Sequence, residues 1–175
     1  MSLERLVDQL VEERSYEALE TLVGSFSDEV LEALIESAAR VIGDDRADPA
    51  DDGIVEQIRL HLVDAKAVGV LVDALQGTDA ITKEFALSCL SEIGDHDAVA
   101  PMVRLLEDRD PAVREAAASH LALLTHYDFG KDPERWRDWE ARRTKGLEEQ
   151  EVEDREDRSR RLKLRMKGID VGEPS

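Results

Sequence analysis

One cysteine, five prolines, six lysines and 4% aromatic residues are all that 175 residues supply of these types. The lone Cys89 excludes an intrachain disulfide and a cysteine-based zinc site. So few aromatic residues, beside abundant Ala and Leu, exclude the aromatic and β-branched strands of a sandwich or barrel and point to helices. No 18 apolar residues run together, which leaves no candidate for a membrane-spanning helix. The stretch Met1 to Gln9 carries Glu4, Arg5 and Asp8 inside an amphipathic pattern and does not read as a signal peptide. The expectation is a soluble, cytoplasmic, all-α protein, long enough to bury about 70% of its unfolded surface without staples.

Charge is abundant, and of one sign. Acids number 41 against 23 bases, a formal net charge of −18. Such a surface repels phosphate and favours a protein partner with a basic surface over nucleic acid or membrane. Residues 1–64 hold 17 acids against 5 bases. Residues 148–175 segregate their charges instead. Glu148 to Asp157 is almost wholly acidic, and Arg158, Arg160, Arg161, Lys163, Arg165 and Lys167 follow with no acid among them. Leu162, Leu164, Met166 and Ile169 alternate or scatter and form no long helical stripe. The i, i+4 pairs Glu151–Arg155, Asp154–Arg158 and Asp157–Arg161 do not hold a lone helix together in water. Residues 148–175 therefore read as a mobile tail. The six bases of its half from Arg158 to Lys167 are the place for contact with an acidic surface: the chain's own N-terminal third, a second copy, or RNA.

The chain repeats itself. Residues 68–94 superpose on 99–125 at a shift of 31. Val68, Leu71, Val72 and Leu75 fall on Val99, Met102, Val103 and Leu106, an i, i+3, i+4, i+7 stripe in both. Ala86, Leu90 and Ile93 fall on Ala117, Leu121 and Leu124, a second stripe. Each unit is thus helix, turn, helix. One such hairpin cannot cover its own apolar faces, but stacked neighbours can.

These two units resemble HEAT repeats, including the short form seen in phycobilisome-lyase-like proteins. The marks are Pro101 in the first helix, Asp110 in the turn and Arg114 early in the second helix; Asp79 and Lys83 match the last two in the earlier unit, where Val70 replaces the proline. The resemblance covers 66–125. It implies turn aspartates that accept bonds from the next helix's free N–H groups and from a neighbouring unit's base. Upstream, stripes from Leu3, Leu6, Val7, Leu10 and Val11, and then from Leu19, Leu22 and Val23, suggest diverged repeats over 1–64. Asp28 is the expected cap of a helix running to Ile42, so that 16–44 would form one diverged hairpin. Downstream, Asp132-Pro133 opens a helix bearing Trp136 and Trp139, expected to cap the stack over 126–147.

Catalytic patterns fail one by one. His61, His96, His120 and His126 include no HExxH pair, and His126 near Asp128 has no recognisable nucleophile beside it. The acidic loop Asp44, Asp45, Asp48, Asp51, Asp52 lacks the spacing of a calcium loop. Two enzyme classes that the resemblance brings in, phycobilin lyases and alkyl-purine DNA glycosylases, need basic residues for acidic ligands; residues 1–147 are net −16, and both stand as the alternative readings. The expectation is a short α-α solenoid of about three to four hairpins. Residues 1–147 would form its domain and 148–175 its tail. It would act as a non-catalytic scaffold that binds a protein on a concave face of second helices, with no cofactor and no metal.

Overall fold

The computed structural model describes residues 2–44 and 50–147. The chain divides into two units, Met1–Pro133 and Glu134–Ser175. Among the described residues all regular structure is helical. The first unit holds α1 (Leu3–Glu13), α2 (Tyr16–Val23), α3 (Asp28–Ile42), α4 (Asp51–Asp64), α5 (Val68–Ala74), α6 (Ala80–Ile93), α7 (Val99–Arg104) and α8 (Pro111–Thr125). A further helix, α9, runs over 133–147. The tail 148–175, with the six bases of 158–167, lies outside the described residues, as do Asp45 and Asp48 of the acidic loop.

The starts of these helices follow from short polar side chains. Ser2, Ser15, Asp79 and Asp110 each accept an N–H from the first turn of α1, α2, α6 and α8. Pro111 takes the first position of α8, where its missing N–H is no loss. Pro101 lies in the first turn of α7 for the same reason. At α3 the cap position belongs to Ser27, without a side-chain cap bond, and Asp28 is the first helical residue. There it acts through its charge on the helix's positive end. Gly94 closes α6 at φ +74°, a conformation that costs any other residue.

Helices adjacent in sequence pack in pairs: α1 on α2, α3 on α4, α5 on α6 and α7 on α8. The expected α2–α3 hairpin over 16–44 is the weak pairing, because α2 leans on α1 and α4 while α3 leans on α1, α4, α5 and α6. The long helices α3, α6 and α8 stack in succession. Of these, α6 sits innermost, between α3 and α8 with α4 and α5 against it. It buries Lys83, Phe85, Ala86, Leu87, Cys89 and Leu90, which take up more than half of its circumference, while Glu84 and Glu92 stay exposed on the remaining side. A helix packed against four others buries a broad face rather than a narrow apolar stripe. In α7 the repeat register holds, since Val99, Met102, Val103 and the following Leu106 are all buried. In α5 it is widened: Val70, Leu71 and Leu75 are buried, with Val68 and Val72 partly exposed. Here α3 covers a second side of α5, so Val70, which stands where α7 has its proline, is drawn inside.

Candidate functional site

The residues singled out by the repeat pattern meet at its turns. Asp79 accepts from the Thr82 N–H at 2.7 Å and its hydroxyl at 2.6 Å, and these bonds hold its carboxyl below the usual range. Asp110 accepts from the Ala112 N–H at 2.8 Å. Lys83 reaches across to the next unit, but its acceptor is Asp108 rather than Asp110, at 2.6 Å. Asp110 is already committed to the start of α8, whereas Asp108 stands two residues earlier, facing α6. Both members of this pair are nine-tenths buried, and the Lys83 ammonium depresses the Asp108 carboxyl. Arg114 has no following turn aspartate to meet and folds back onto the Asp108 and Arg109 carbonyls, 2.8 and 3.1 Å away. Of these contacts Lys83–Asp108 joins one unit to the next, and the others stay within a single turn.

A second joint was not foreseen. Arg14 closes α1 at φ +54°, a left-handed conformation that costs about 1–2 kcal/mol for a residue with a Cβ. Its buried guanidinium donates to Asp51 and, at 3.0 Å, to Asp44, which together hold it above its ordinary range with Asp51 foremost. Two carboxylates of the acidic loop are therefore occupied by a guanidinium, and α4 begins at Asp51 inside the stretch expected as loop.

The nucleophilic and titrating groups do not assemble. Cys89 is fully buried and desolvation pushes its thiol up to about 12, so no thiolate is on offer at neutral pH. Ser91 Oγ lies 2.9 Å from the Ser88 carbonyl of its own helix and 2.9 Å from His120 Nδ1. Burial lowers the His120 pKa, and no carboxylate orients its ring among the described residues. The contact ties α6 to α8. His126 closes α8 through its backbone, while Asp128 accepts the Gly130 N–H at 2.9 Å. Among the described residues no group of three or more His, Cys, Asp or Glu is placed to hold a metal ion. None of their helices is long and apolar enough to cross a membrane.

What does assemble is a groove along α3. One cavity of about 310 Å³ lies between α3, α5 and the start of α6. Its floor is Ile35, Val70 and Ala74, and its rim carries Glu32, Glu36, Asp73 and Asp79. A second cavity of about 540 Å³ adjoins it, sharing Glu36, Asp79 and Thr82 and extending past Ala39, Arg40 and Gly43 to the end of α1. Arg40, the base on this wall, is spent on Glu12 at 3.3 Å. Asp73 and Asp79 take bonds only from uncharged donors, Gln76 and Thr82. Glu32 and Glu36 form no ion pair with any described residue. The groove is apolar below, and along its rim Glu32, Glu36 and Asp73 face no base, whereas Asp79 lies within the field of Lys83. Glu84 and Glu115, equivalent at the 31-residue shift, add one exposed carboxylate to each of α6 and α8.

The groove was hidden in the sequence because four helices supply its walls. Glu29, Glu32 and Glu36 give only the pattern of a solvated helix face, and nothing local says that α5 stands opposite. Trp136 and Trp139 lie on α9, the first fully buried and the two meeting edge-on at 6.2 Å, with Arg143 5.9 Å over the Trp139 ring.

Residues 61–134 match the family model of HEAT repeats, which takes in the two units recognised over 66–125 and extends past both ends. HEAT repeats generally mediate contacts between proteins and are generally non-catalytic. No curated protein and no solved structure matches the chain.

Proposed function

We propose that this HEAT-repeat chain is a non-catalytic adaptor whose acidic groove along α3 receives a basic segment of a protein partner. The observation that carries the reading is the pairing of an apolar floor, Ile35, Val70 and Ala74, with three rim carboxylates, Glu32, Glu36 and Asp73, that form no ion pair with a described residue. A segment with cations on one side and apolar side chains on the other satisfies both at once. Neutral or acidic segments satisfy neither. The rim gives on-rate and orientation, because exposed charge pairs are worth little each and are screened by salt. The floor supplies what salt does not remove. The stack holds this wall in place through Lys83–Asp108 and the Arg14 cluster.

The reading is tested with the full chain and a labelled peptide in which Lys or Arg alternates with Leu. Fluorescence anisotropy should show binding that weakens as salt rises. Replacing Glu32 and Glu36 with Gln and Asp73 with Asn should weaken it about tenfold, which corresponds to 1.4 kcal/mol spread over three exposed pairs. A charge-matched control, Gln at Glu4, Glu17 and Glu20 on the α1–α2 surface, should bind like the wild type. Equal loss in both triple variants would mean that only net charge matters and would remove the groove from the account.

A further inference from the structure

We propose that the groove's occupant is the basic segment Arg158–Lys167 of a second copy of this chain. The inference rests on the groove reading above and names its ligand. Charge provides the first argument. The unit Met1–Pro133 carries 29 acids against 11 bases, so the whole net charge of −18 sits there, and Glu134–Ser175 balances 12 against 12. Within that balanced unit the bases are gathered: the ten residues from Arg158 to Lys167 hold six of them and no acid. One chain thus carries both a groove whose rim holds three carboxylates without a base, Glu32, Glu36 and Asp73, and a cationic segment to match it.

Pattern provides the second. Arg161, Lys163, Arg165 and Lys167 alternate with Leu162, Leu164 and Met166. An alternating sequence puts its bases on one side and its apolar residues on the other whenever the backbone is extended. The groove asks for that division, with apolar contact below and cations at the rim. Length agrees as well. From Glu32 to Gly43 the α3 wall rises roughly 16 Å at 1.5 Å per residue. From Leu162 to Lys167, five steps of extended backbone span roughly 17 Å. Three apolar side chains can then face Ile35, Val70 and Ala39 while the bases meet Glu32, Glu36 and Asp73.

Because each copy has one groove and one segment, the exchange is reciprocal. Two chains related by a twofold axis fill both grooves, and the second docking becomes intramolecular once the first has formed. Association then rises with chain concentration and falls with salt.

Lys163 and Lys167 are the two amines of the segment, which makes a zero-length carbodiimide cross-link a direct readout. Full-length unlabelled and ¹⁵N-labelled chains are mixed, cross-linked at low salt and mapped by mass spectrometry. The expected result is that these two lysines join Glu32, Glu36 or Asp73, in label-mixed pairs that disappear at high salt. Cross-links scattered over acids elsewhere, cross-links confined to a single copy, or none would overturn the proposal. A second measurement keeps the two readings apart. With the six bases of 158–167 changed to Gln, the chain should sediment as a smaller species and should bind the labelled basic peptide several-fold more tightly, its groove no longer occupied. Unchanged sedimentation and unchanged peptide affinity would show that the segment is not the occupant, while peptide binding that still depends on Glu32 and Glu36 would leave the groove reading standing.

Discussion

Leu90→Ala should lower the stability of the chain by about 4–5 kcal/mol, and Leu121→Ala by about 2–4 kcal/mol. Both side chains are fully buried and occupy the same place in successive units. Their surroundings differ. Leu90 lies on α6, which is enclosed by α3, α4, α5 and α8, so little around it can collapse into the space left behind. Leu121 lies on α8, with α6 and α7 as its helical neighbours in that unit, and the site can relax further. In a chain of this size each kcal/mol moves the melting temperature by about 2–4 °C, so Leu90→Ala should shift it by roughly 10–15 °C. Units of a solenoid lean on their neighbours, and the loss should spread. Hydrogen exchange in Leu90→Ala should speed up in α3 and α8 as well as in α6. An unchanged melting temperature for either variant would mean that the repeat register is wrong.

The second large effect is expected at the joint between units. Lys83→Met leaves the buried Asp108 carboxylate with the Asp110 N–H, at 2.8 Å, and the more distant charge of Arg109 to answer it. Breaking such a pair from one side should destabilise the fold by about 3–5 kcal/mol. Replacing both partners, Lys83→Met with Asp108→Leu, should restore much of the loss, because no buried charge is then left alone. The pair also sets a pH dependence. Lys83 and the Asp110 N–H hold the Asp108 carboxyl below its ordinary value of 3.8, so the folded state binds fewer protons there than the unfolded chain. Its contribution is fully present above that ordinary value and is lost as the pH falls through the depressed one. Urea unfolding of the wild type should therefore weaken steeply below about pH 4, and Lys83→Met should flatten that limb. A single variant as stable as the wild type, or a double variant worse than either single, would contradict a joint of this kind.

The clear repeats were legible because their helices see much the same environment twice. The 31-residue shift placed Leu90 on Leu121 and Asp79 on Asp110, and both pairs hold equivalent positions in the stack. Legibility fails where one helix gains an extra neighbour. Val70 is the example: sequence put it in the place of a first-turn proline, and the approach of α3 made it part of a groove floor. The partner of Lys83 was misplaced by two residues because a turn with acids at Asp108 and Asp110 offers both, and only the capping of α8 decides between them. Arg14 gave no signal at all. A single arginine after a helix is unremarkable until the chain returns at Asp44 and Asp51 to meet it. The same holds for the groove, whose acids are scattered from Glu12 to Asp79 and become one surface only when α3 stacks against α5 and α6.

Hydrogen exchange on the full chain, with and without the peptide of alternating bases and leucines, tests the central claim most directly. A ligand seated in the groove must slow exchange in two separate stretches, the part of α3 from Glu32 to Gly43 and the segment from Asp73 to Thr82 that joins α5 to α6. The account predicts protection in both, absent in the variant with Gln at Glu32 and Glu36, and no change along α8. Protection confined to α8 or α9, or the same protection with both glutamates replaced, would contradict it.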